Sequence, residues 1–175
     1  HLNRWLAEGR HGTMGYMARH GTRRSRPAEL HAGTRRVISV RMDYWPPDTR
    51  PADTVLDEPA LGYVSRYALG RDYHKLMRKQ LATLAARLEA VAGPIGHRVF
   101  VDSAPVLEKA LARKAGLGWI GKHTNLIARD AGSYFFLGEI FTTLELPLDE
   151  PATAHCGTCS KCIPACPTGA ITYID

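Results

Sequence analysis

Four cysteines near the end of the sequence have the spacing of an iron–sulfur motif. They are the only cysteines of the 175-residue chain, at Cys156, Cys159, Cys162 and Cys166. The pattern C-x2-C-x2-C-x3-C-P holds iron–sulfur clusters through thiolates. Zinc or inert thiols are the alternatives, but a zinc knuckle usually needs a second, separated ligand pair, which the chain lacks. A disulfide framework is disfavoured because the cysteines crowd one stretch and no secretory signal is visible.

The cysteine run also predicts what lies outside this sequence. In ferredoxins with two clusters, the fourth cysteine of such a run binds the other cluster. Cys156, Cys159 and Cys162 would then serve one cluster and Cys166 another, and each cluster needs cysteines from a second motif. The chain ends at Asp175 without that motif and does not begin with Met. We therefore expect an internal piece of a longer protein, inactive or impaired by itself.

Asp102 is the candidate for acid–base chemistry. It follows the short apolar run Val99–Val101 and precedes a predicted helix. Its carboxylate can cap that helix, which contributes about 1 kcal/mol. Alternatively, it can act as a general acid, which requires a partly desolvated carboxyl group with a raised pKa. Capping lowers the pKa, so the two roles conflict unless Ser103 provides the cap. The residues alone favour the cap.

Two further segments have the composition of ligand-binding loops. Residues 116–125 carry three glycines followed by Lys122, which predicts either close approach of the backbone to a phosphate or a packed turn with a solvent-exposed lysine. They do not form a Walker loop, because His123 follows the lysine. Residues 63–74 are rich in Tyr and Arg and end in His74. They predict either a site for a flat polar ligand or a solvated loop feeding a helix capped by Asp72.

Strands and helices alternate along the chain. Apolar residues recur every three or four positions over 72–91, which predicts a helix, and a second helix is predicted from Asp102–Ser103 to about 115. Strands are predicted at 36–44, 99–101 and, as one or two strands, 134–146. A short helix is expected at 2–8, loops and turns at 9–35, a surface loop at 46–53 and a linker at 146–153. The fold class is α/β, with α+β possible, and the domains are 1–150 and 151–175.

The charge is basic and unevenly distributed. The formal net charge is +6 and the pI about 9.3. Arginine and lysine residues are clustered in two parts of the chain. Such clusters can bind a polyanion such as RNA or a phosphate-bearing cofactor, or they can form a solvated surface. No apolar stretch is long enough to span a bilayer, so we expect a cytoplasmic protein without a membrane partner. The clustered basic residues are Arg19, Arg23, Arg24, Arg26, Arg35 and Arg36, followed by Arg66, Arg71, Lys75, Arg78 and Lys79.

Five motifs in one order resemble a known family. They are Gly-Tyr-Val-Ser-Arg-Tyr-Ala-Leu-Gly-Arg-Asp-Tyr-His, Val-Asp-Ser-Ala-Pro-Val-Leu-Glu, Ala-Gly-Leu-Gly-Trp-Ile-Gly-Lys, Gly-Ser-Tyr-Phe-Phe-Leu-Gly-Glu and the cysteine run. The chain resembles tRNA epoxyqueuosine reductase over essentially its whole length. The resemblance implies a reductase that uses cobalamin and two 4Fe–4S clusters, and removes the epoxide oxygen of epoxyqueuosine at the tRNA wobble position to give queuosine.

The resemblance also assigns roles to individual residues. Asp102 matches the proton donor of the family, which reverses the preference for a cap. The corresponding cobalamin contacts are Arg24, Ser65, Asp102, Leu126 and Leu137. It implies a cobalamin-binding catalytic domain at 1–150 and, at 151–175, the first half of a ferredoxin-type module. The partners are tRNA bearing epoxyqueuosine and an unidentified electron donor, and we expect a monomer.

Two other functions remain open. A reductive dehalogenase-like enzyme would combine cobalamin and clusters in the same way but act on a small organohalide. A plain electron-transfer iron–sulfur module would have no substrate of its own, and the Asp102 motif and the glycine-rich loop would then be structural. The basic charge favours tRNA over the first, and cobalamin binding would exclude the second.

Overall fold

The structure is a computed structural model that describes residues 1–45 and 48–172. In these ranges the strands are β1 (Arg36–Asp43), β2 (His97–Phe100), β3 (Trp119–Ile120), β4 (Leu126–Ile127) and β5 (Phe135–Thr142). The α-helices are α1 (Leu2–Ala7), α2 (Ala52–Leu56), α3 (Tyr73–Ala92) and α4 (Glu108–Lys114). Short 3₁₀ helices lie at Gly15–Met17, Gly21–Ser25, Pro27–Glu29 and Arg66–Ala68. No helix of the described part is long and apolar enough to cross a membrane.

The central sheet has three antiparallel strands in the order β1-β5-β2. β5 lies in the middle, where Ile140 is opposite Ile38 on one side and Val99 on the other. Because β5 is covered on both faces, almost all of it is apolar, as a fully buried strand requires. The prediction of strands in these three segments is confirmed, and 134–146 forms one strand rather than two.

Helix α3 covers one face of the sheet. Its buried positions Met77, Leu81 and Ala85 recur every fourth residue and pack against Ile140. The helix approaches closely at Gly138, because a Cβ atom there would lie 2.9 Å from both the Leu81 and the Met77 side chains. Asp72 caps the helix by accepting a hydrogen bond from the backbone N–H of His74 at 3.0 Å. The predicted helix and its cap are both confirmed.

Helix α4 and the β3–β4 hairpin cover the opposite face. They form two apolar clusters with the odd-numbered residues of β5, the one around Phe100 and Phe141, the other around Ala112 and Phe135. The sheet therefore lies between two layers, and the fold is mixed α/β as expected. β2 ends at Phe100, and Asp102 lies two residues after that end.

Helix α4 begins later than the sequence suggested. A helix was expected from Asp102–Ser103, but it starts at Glu108, and its N-cap residue Leu107 makes no side-chain capping bond. Residues 102–105 form bends instead, because Asp102 has a φ of +48° and Pro105 disfavours a helical conformation at the residue before it. Neither Asp102 nor Ser103 caps a helix, so the carboxyl group of Asp102 is available for other contacts.

Three loop predictions are refined by the structure. Within the predicted surface loop 46–53, Pro46 and Pro47 lie outside the described residues, and helix α2 begins at Ala52 with Pro51 as its N-cap residue. The glycine-rich loop, residues 116–125, contains the turn of the β3–β4 hairpin. The N–H of Gly121 donates a hydrogen bond to the carbonyl oxygen of Asn125 at 2.8 Å and closes this turn. Turns were expected over 9–35, and three of the short 3₁₀ helices lie there.

Candidate active site and cysteine motif

The carboxyl group of Asp102 is the convergence point of two side chains from α3. Its Oδ2 accepts a hydrogen bond from the Tyr73 hydroxyl at 2.6 Å and lies 2.9 Å from Nε2 of His74. Its side chain is still 54% exposed. Asp102 therefore presents a held carboxyl group with one side open to a ligand.

His74 lies between two carboxylates. Its Nδ1 is 2.9 Å from Asp72 and its Nε2 is 2.9 Å from Asp102. Carboxylates only accept hydrogen bonds, so the doubly protonated ring satisfies both contacts best. The hydrogen bond with Asp72, followed by that with Asp102, raises the pKa of His74 above its ordinary value. His74 is thus a local source of a proton.

Tyr73 is fixed by ring stacking. It stacks on Phe136 of β5 with centroids 3.7 Å apart and planes 7° apart, and on His74 at 4.0 Å. Burial, followed by the hydrogen bond to Asp102, raises the pKa of the Tyr73 hydroxyl. The hydroxyl therefore stays protonated and acts as a donor near neutral pH.

Glu108 holds the backbone of the same loop. Its Oε1 accepts a hydrogen bond from the Asp102 N–H at 2.7 Å. That bond restrains Asp102 at a positive φ, which non-glycine residues seldom adopt. Burial is the largest cause that raises the pKa of Glu108 to about 7.

Glu139 is a buried carboxyl group in the centre of the sheet. It has 0% exposure and lies opposite Ser39 and Phe100 in the strand register. Within the described residues, neither of its oxygens has a hydrogen-bond partner, and the buried Ser39 hydroxyl has none either. Burial, with a smaller contribution from Glu108, raises the pKa of Glu139 to about 9. Glu139 is therefore protonated at neutral pH.

The other expected cofactor contacts lie in three places. Leu126 is buried in one apolar cluster, and the half-buried Leu137 packs against the same cluster. Arg24 donates to the carbonyl oxygen of Tyr16 at 3.2 Å, and its Nε is buried without a partner in the described part of the chain. Ser65 precedes the 3₁₀ helix Arg66–Ala68. Only Leu126 and Leu137 are thus brought together.

Ser65 lies within an exposed apolar segment, 61–69. The segment is anchored by Arg66, which donates to the carbonyl oxygen of Arg50 at 2.6 Å and lies over the Trp45 ring at 4.1 Å. Exposed apolar side chains at this density are typical of a ligand-binding surface. The prediction of a site for a flat ligand over 63–74 remains a prediction, and the exposed apolar members are Leu61, Tyr63, Val64, Tyr67 and Leu69.

The four cysteines lie on consecutive tight turns. Backbone hydrogen bonds link the N–H of Cys159 to the carbonyl of Cys156 at 2.9 Å, and the N–H of Gly169 to that of Cys166 at 3.2 Å. All four thiols are free, so the structure contains no disulfide among them. Among residues 1–45 and 48–172, no three His, Cys, Asp or Glu side chains lie close enough to hold a metal ion.

Two residues of the hairpin join the cysteine motif to the body of the protein. The indole N–H of Trp119 donates to Sγ of Cys156 at 3.4 Å and lowers the pKa of that thiol. Lys122 Nζ donates to the carbonyl oxygens of Gly157 and Cys159 at 2.8 and 2.9 Å. Lys122 is thus bound to the cysteine motif rather than free on the surface, and phosphate binding by the glycine-rich loop remains a prediction.

Sequence reasoning did not assign five residues of these sites. Tyr73 and His74 were noted only within a dense segment, and Glu108 only within a motif. Glu139 carried the clearest signal, because a charged residue inside an apolar strand is unusual. No pattern in the sequence indicated the contact of Trp119 with Cys156.

Comparison with known proteins identifies relatives across the whole chain. A family model described as "Epoxyqueuosine reductase QueG, DUF1730" matches residues 24–103. An epoxyqueuosine reductase from Xanthomonas campestris is 65% identical over 171 residues, which cover 98% of this chain and 48% of the relative. The chain therefore spans about half the length of such relatives.

Solved structures of epoxyqueuosine reductases have the same fold as this chain. The epoxyqueuosine reductase from Streptococcus thermophilus aligns with a TM-score of 0.84 at 28% identity, over 98% of this chain and 45% of that one. A crystal structure with an epoxyqueuosine-modified tRNA-Tyr stem loop aligns at 0.78 and 26% identity, over 97% and 45%. The Bacillus subtilis structure aligns at 0.77 and 25% identity, over 97% and 45%, and has its catalytic loop, named for an aspartate, swung out of the active site.

Proposed function

The chain belongs to the epoxyqueuosine reductase family, and we propose that its protein removes the epoxide oxygen of epoxyqueuosine at the tRNA wobble position to give queuosine. The observation that carries this proposal is the position of the Asp102 carboxyl group. Two hydrogen-bond donors of α3 hold it in place, and one side of it remains accessible to a ligand. The solved relative with an epoxyqueuosine-modified stem loop supports tRNA as the substrate.

The reaction requires an acid next to the epoxide. Both carbon–oxygen bonds break and a carbon–carbon double bond forms, with two electrons and two protons consumed and one water released. An alkoxide is a poor leaving group, so protonation of the oxygen must accompany bond cleavage. We assign that protonation to Asp102.

Tyr73 and His74 support this role in different ways. Tyr73 orients the carboxyl group through its 2.6 Å hydrogen bond. His74 returns a proton to Asp102 through the 2.9 Å contact, and its side chain is 35% exposed, so water can recharge it. One acid can thereby deliver both protons in succession.

Cobalamin, when bound, would supply the reducing electrons at its cobalt. The residues that would hold it are Arg24, Ser65, Asp102, Leu126 and Leu137. Two features of this chain fit a large, flat ligand with polar edges. The segment 61–69 exposes apolar side chains around Ser65, and the buried Nε of Arg24 lacks a partner in the described residues.

The cysteines would bind two 4Fe–4S clusters in the full-length protein. Cys156, Cys159 and Cys162 would serve one cluster and Cys166 the other. Two domains follow, a cobalamin-binding catalytic domain at 1–150 and the first half of a ferredoxin-type module at 151–175. Electrons from an unidentified donor would reach the active site through the clusters. We place the protein in the cytoplasm, where tRNA is modified, as a monomer.

The test is conversion by the complete protein. Expressed from its full reading frame and loaded with cobalamin and clusters, it should convert epoxyqueuosine-containing tRNA in the presence of a reductant. Nucleoside mass spectrometry would show loss of one oxygen atom. Asp102→Asn should lower conversion by about 10²- to 10⁴-fold, whereas Asp57→Asn, the same change at an exposed position after α2, should leave it unchanged. A fully loaded wild-type protein that leaves the nucleoside unchanged would refute the tRNA hypothesis.

A further inference from the structure

A basic cavity lies beside the Asp102 loop. Its volume is about 540 Å³, and it follows the outer edge of β2, whose partner strand in the described sheet is β5 alone. The 3₁₀ segment Gly21–Ser25 and helix α3 close its sides. Arginines from three separate parts of the chain line it, namely Arg23, Arg78 and Arg98.

The cavity has more positive charge than its neighbours neutralise. Its one carboxylate, Glu29, accepts a hydrogen bond from the Thr22 hydroxyl at 2.7 Å and pairs with Arg26 at 3.5 Å. In the described structure, the guanidinium groups of Arg23 and Arg78 have no hydrogen-bond or ion-pair partner. Free guanidinium donors around one cavity are suited to an oxyanion.

Arg98 is fixed in place rather than free. Its Nη1 donates to the carbonyl oxygen of Leu30 at 3.1 Å, and its guanidinium lies over the Phe100 ring at 5.1 Å. The remaining N–H groups of Arg98 are not used by these contacts. One arginine of the three is thus already ordered before any ligand binds, which lowers the entropy cost of binding.

The cavity adjoins the proposed acid. Arg78 follows His74 by four residues on α3, so the two side chains lie on the same face of the helix, one turn apart. On the other wall, Ser103 directly follows Asp102. When the reacting nucleotide of an RNA contacts Asp102, the neighbouring phosphate groups of that RNA are therefore within reach of this cavity.

We propose that this cavity is a phosphodiester-binding subsite in which Arg23, Arg78 and Arg98 hold a backbone phosphate of the RNA next to the nucleotide being reduced. The identity of the polyanion as RNA rests on the proposed function. The nucleotide loop of cobalamin carries the same chemical group, so the experiment must separate the two sources.

The first measurement is the salt dependence of RNA binding by the complete, cofactor-loaded protein. Binding of an anticodon stem loop is measured over a series of KCl concentrations for wild type, Arg78→Gln, Arg23→Gln and Arg87→Gln. Each lost phosphate contact lowers the slope of log affinity against log salt by about 1. Arg78→Gln and Arg23→Gln should each show this loss.

Arg87→Gln is the matched control. Arg87 is exposed on α3 and lies nine residues after Arg78, which places it about 180° around the helix, away from the cavity. It removes the same charge from the same helix and should keep the wild-type slope. Arg98 is not used, because its bond to Leu30 supports the fold, and circular dichroism would check that the exposed variants are folded.

The second measurement separates the two sources of phosphate. Cobalamin and cobinamide, which lacks the nucleotide loop and its phosphate, are titrated into each variant. We expect the affinity of both corrinoids to be unchanged in Arg78→Gln. Weaker binding of cobalamin but not of cobinamide, with an unchanged RNA salt slope, would assign the cavity to the cofactor and overturn the RNA subsite.

These outcomes are independent of the proposed reaction. Wild-type slopes in both cavity variants, together with unchanged corrinoid binding, would overturn the subsite even if wild type converts epoxyqueuosine. Conversely, a wild-type protein that binds the stem loop without converting it would refute the reaction, while the slopes would still test the subsite.

Discussion

Asp102 is held by side chains from two other elements, whereas the four cysteines lie on successive turns of their own segment. Tyr73 and His74 fix its carboxyl group, and Glu108 fixes its backbone. The cysteine motif meets the body of the protein through Trp119 and Lys122. The proposed acid site is therefore organised by the protein itself, whereas the proposed clusters would have to draw the thiolates of the cysteine motif together.

The largest losses of turnover should come from substitutions at Asp102 and in the cysteine motif, for two different reasons. Asp102→Asn should lower turnover by about 10²- to 10⁴-fold, because a positioned general acid contributes that much. Cys162→Ser should lower turnover at least as far, but for a different reason, since it removes a cluster ligand. Iron and sulfide analysis with turnover assays would test this.

The iron content of the purified proteins should distinguish these two variants. Asp102→Asn should keep the wild-type iron content, and Cys162→Ser should lose iron. Loss of iron in Asp102→Asn would mean that the acid site and the cysteine motif are not independently organised.

The next effect concerns the backbone bond at Glu108. Glu108→Leu removes the acceptor for the Asp102 N–H and should lower turnover by roughly 10- to 100-fold, since a displaced catalytic group costs about that much. Glu108→Gln keeps an acceptor oxygen of the same size and should retain most of the activity. Comparable losses in both variants would show that the charge of Glu108, rather than its hydrogen bond, matters.

Glu139 should make stability depend on pH. Its pKa is raised from 4.5 to about 9, so the folded state binds a proton that the unfolded state has lost between these values. The free energy of unfolding should therefore fall as pH rises, by up to about 1.4 kcal/mol per pH unit. Glu108, with a pKa of about 7, adds to this only at the lower end of the range.

Between pH 7 and 9 the Cys156 and Cys166 thiols, whose pKa values are lowered, contribute in the opposite sense, so the contribution of Glu139 is the difference between wild type and Glu139→Gln, which cannot ionise. In urea unfolding, the slope of the free energy of unfolding against pH should be more negative for wild type than for Glu139→Gln. Glu58→Gln, the same change on an exposed residue, should keep the wild-type slope. A wild-type slope in Glu139→Gln would show that Glu139 does not hold the extra proton.

The smallest effect should come from Trp119. Trp119→Phe keeps the aromatic packing but removes the N–H donor to Sγ of Cys156. Because hydrogen bonds to cluster sulfur atoms tune the reduction potential, we expect a shift of roughly tens of millivolts with the iron content unchanged. Redox titration followed by electron paramagnetic resonance would measure it, with Trp5→Phe as a control. An unchanged potential would mean that this contact is only structural.

Much of the fold was predictable because its signals are local. The apolar period over 72–91 and the cap at Asp72 describe α3 almost to the residue. The start of α4 was missed because Asp102 and Ser103 resemble helix caps, while Pro105 and the positive φ of Asp102 favour turns. The two-residue strands of the β3–β4 hairpin are too short to carry a period.

The sequence by itself determined the cysteine spacing and the order of motifs, because both depend on neighbours along the chain, and the resemblance of those motifs to a family made Asp102 the candidate acid. The tertiary structure alone decided which side chains meet Asp102. Tyr73 and His74 are separated from it by 29 and 28 residues, and they come within hydrogen-bonding distance only because α3 packs on β2 and β5. The same packing buries Glu139 and forms the basic cavity, since long-range contacts follow from burial of apolar faces rather than from local spacing.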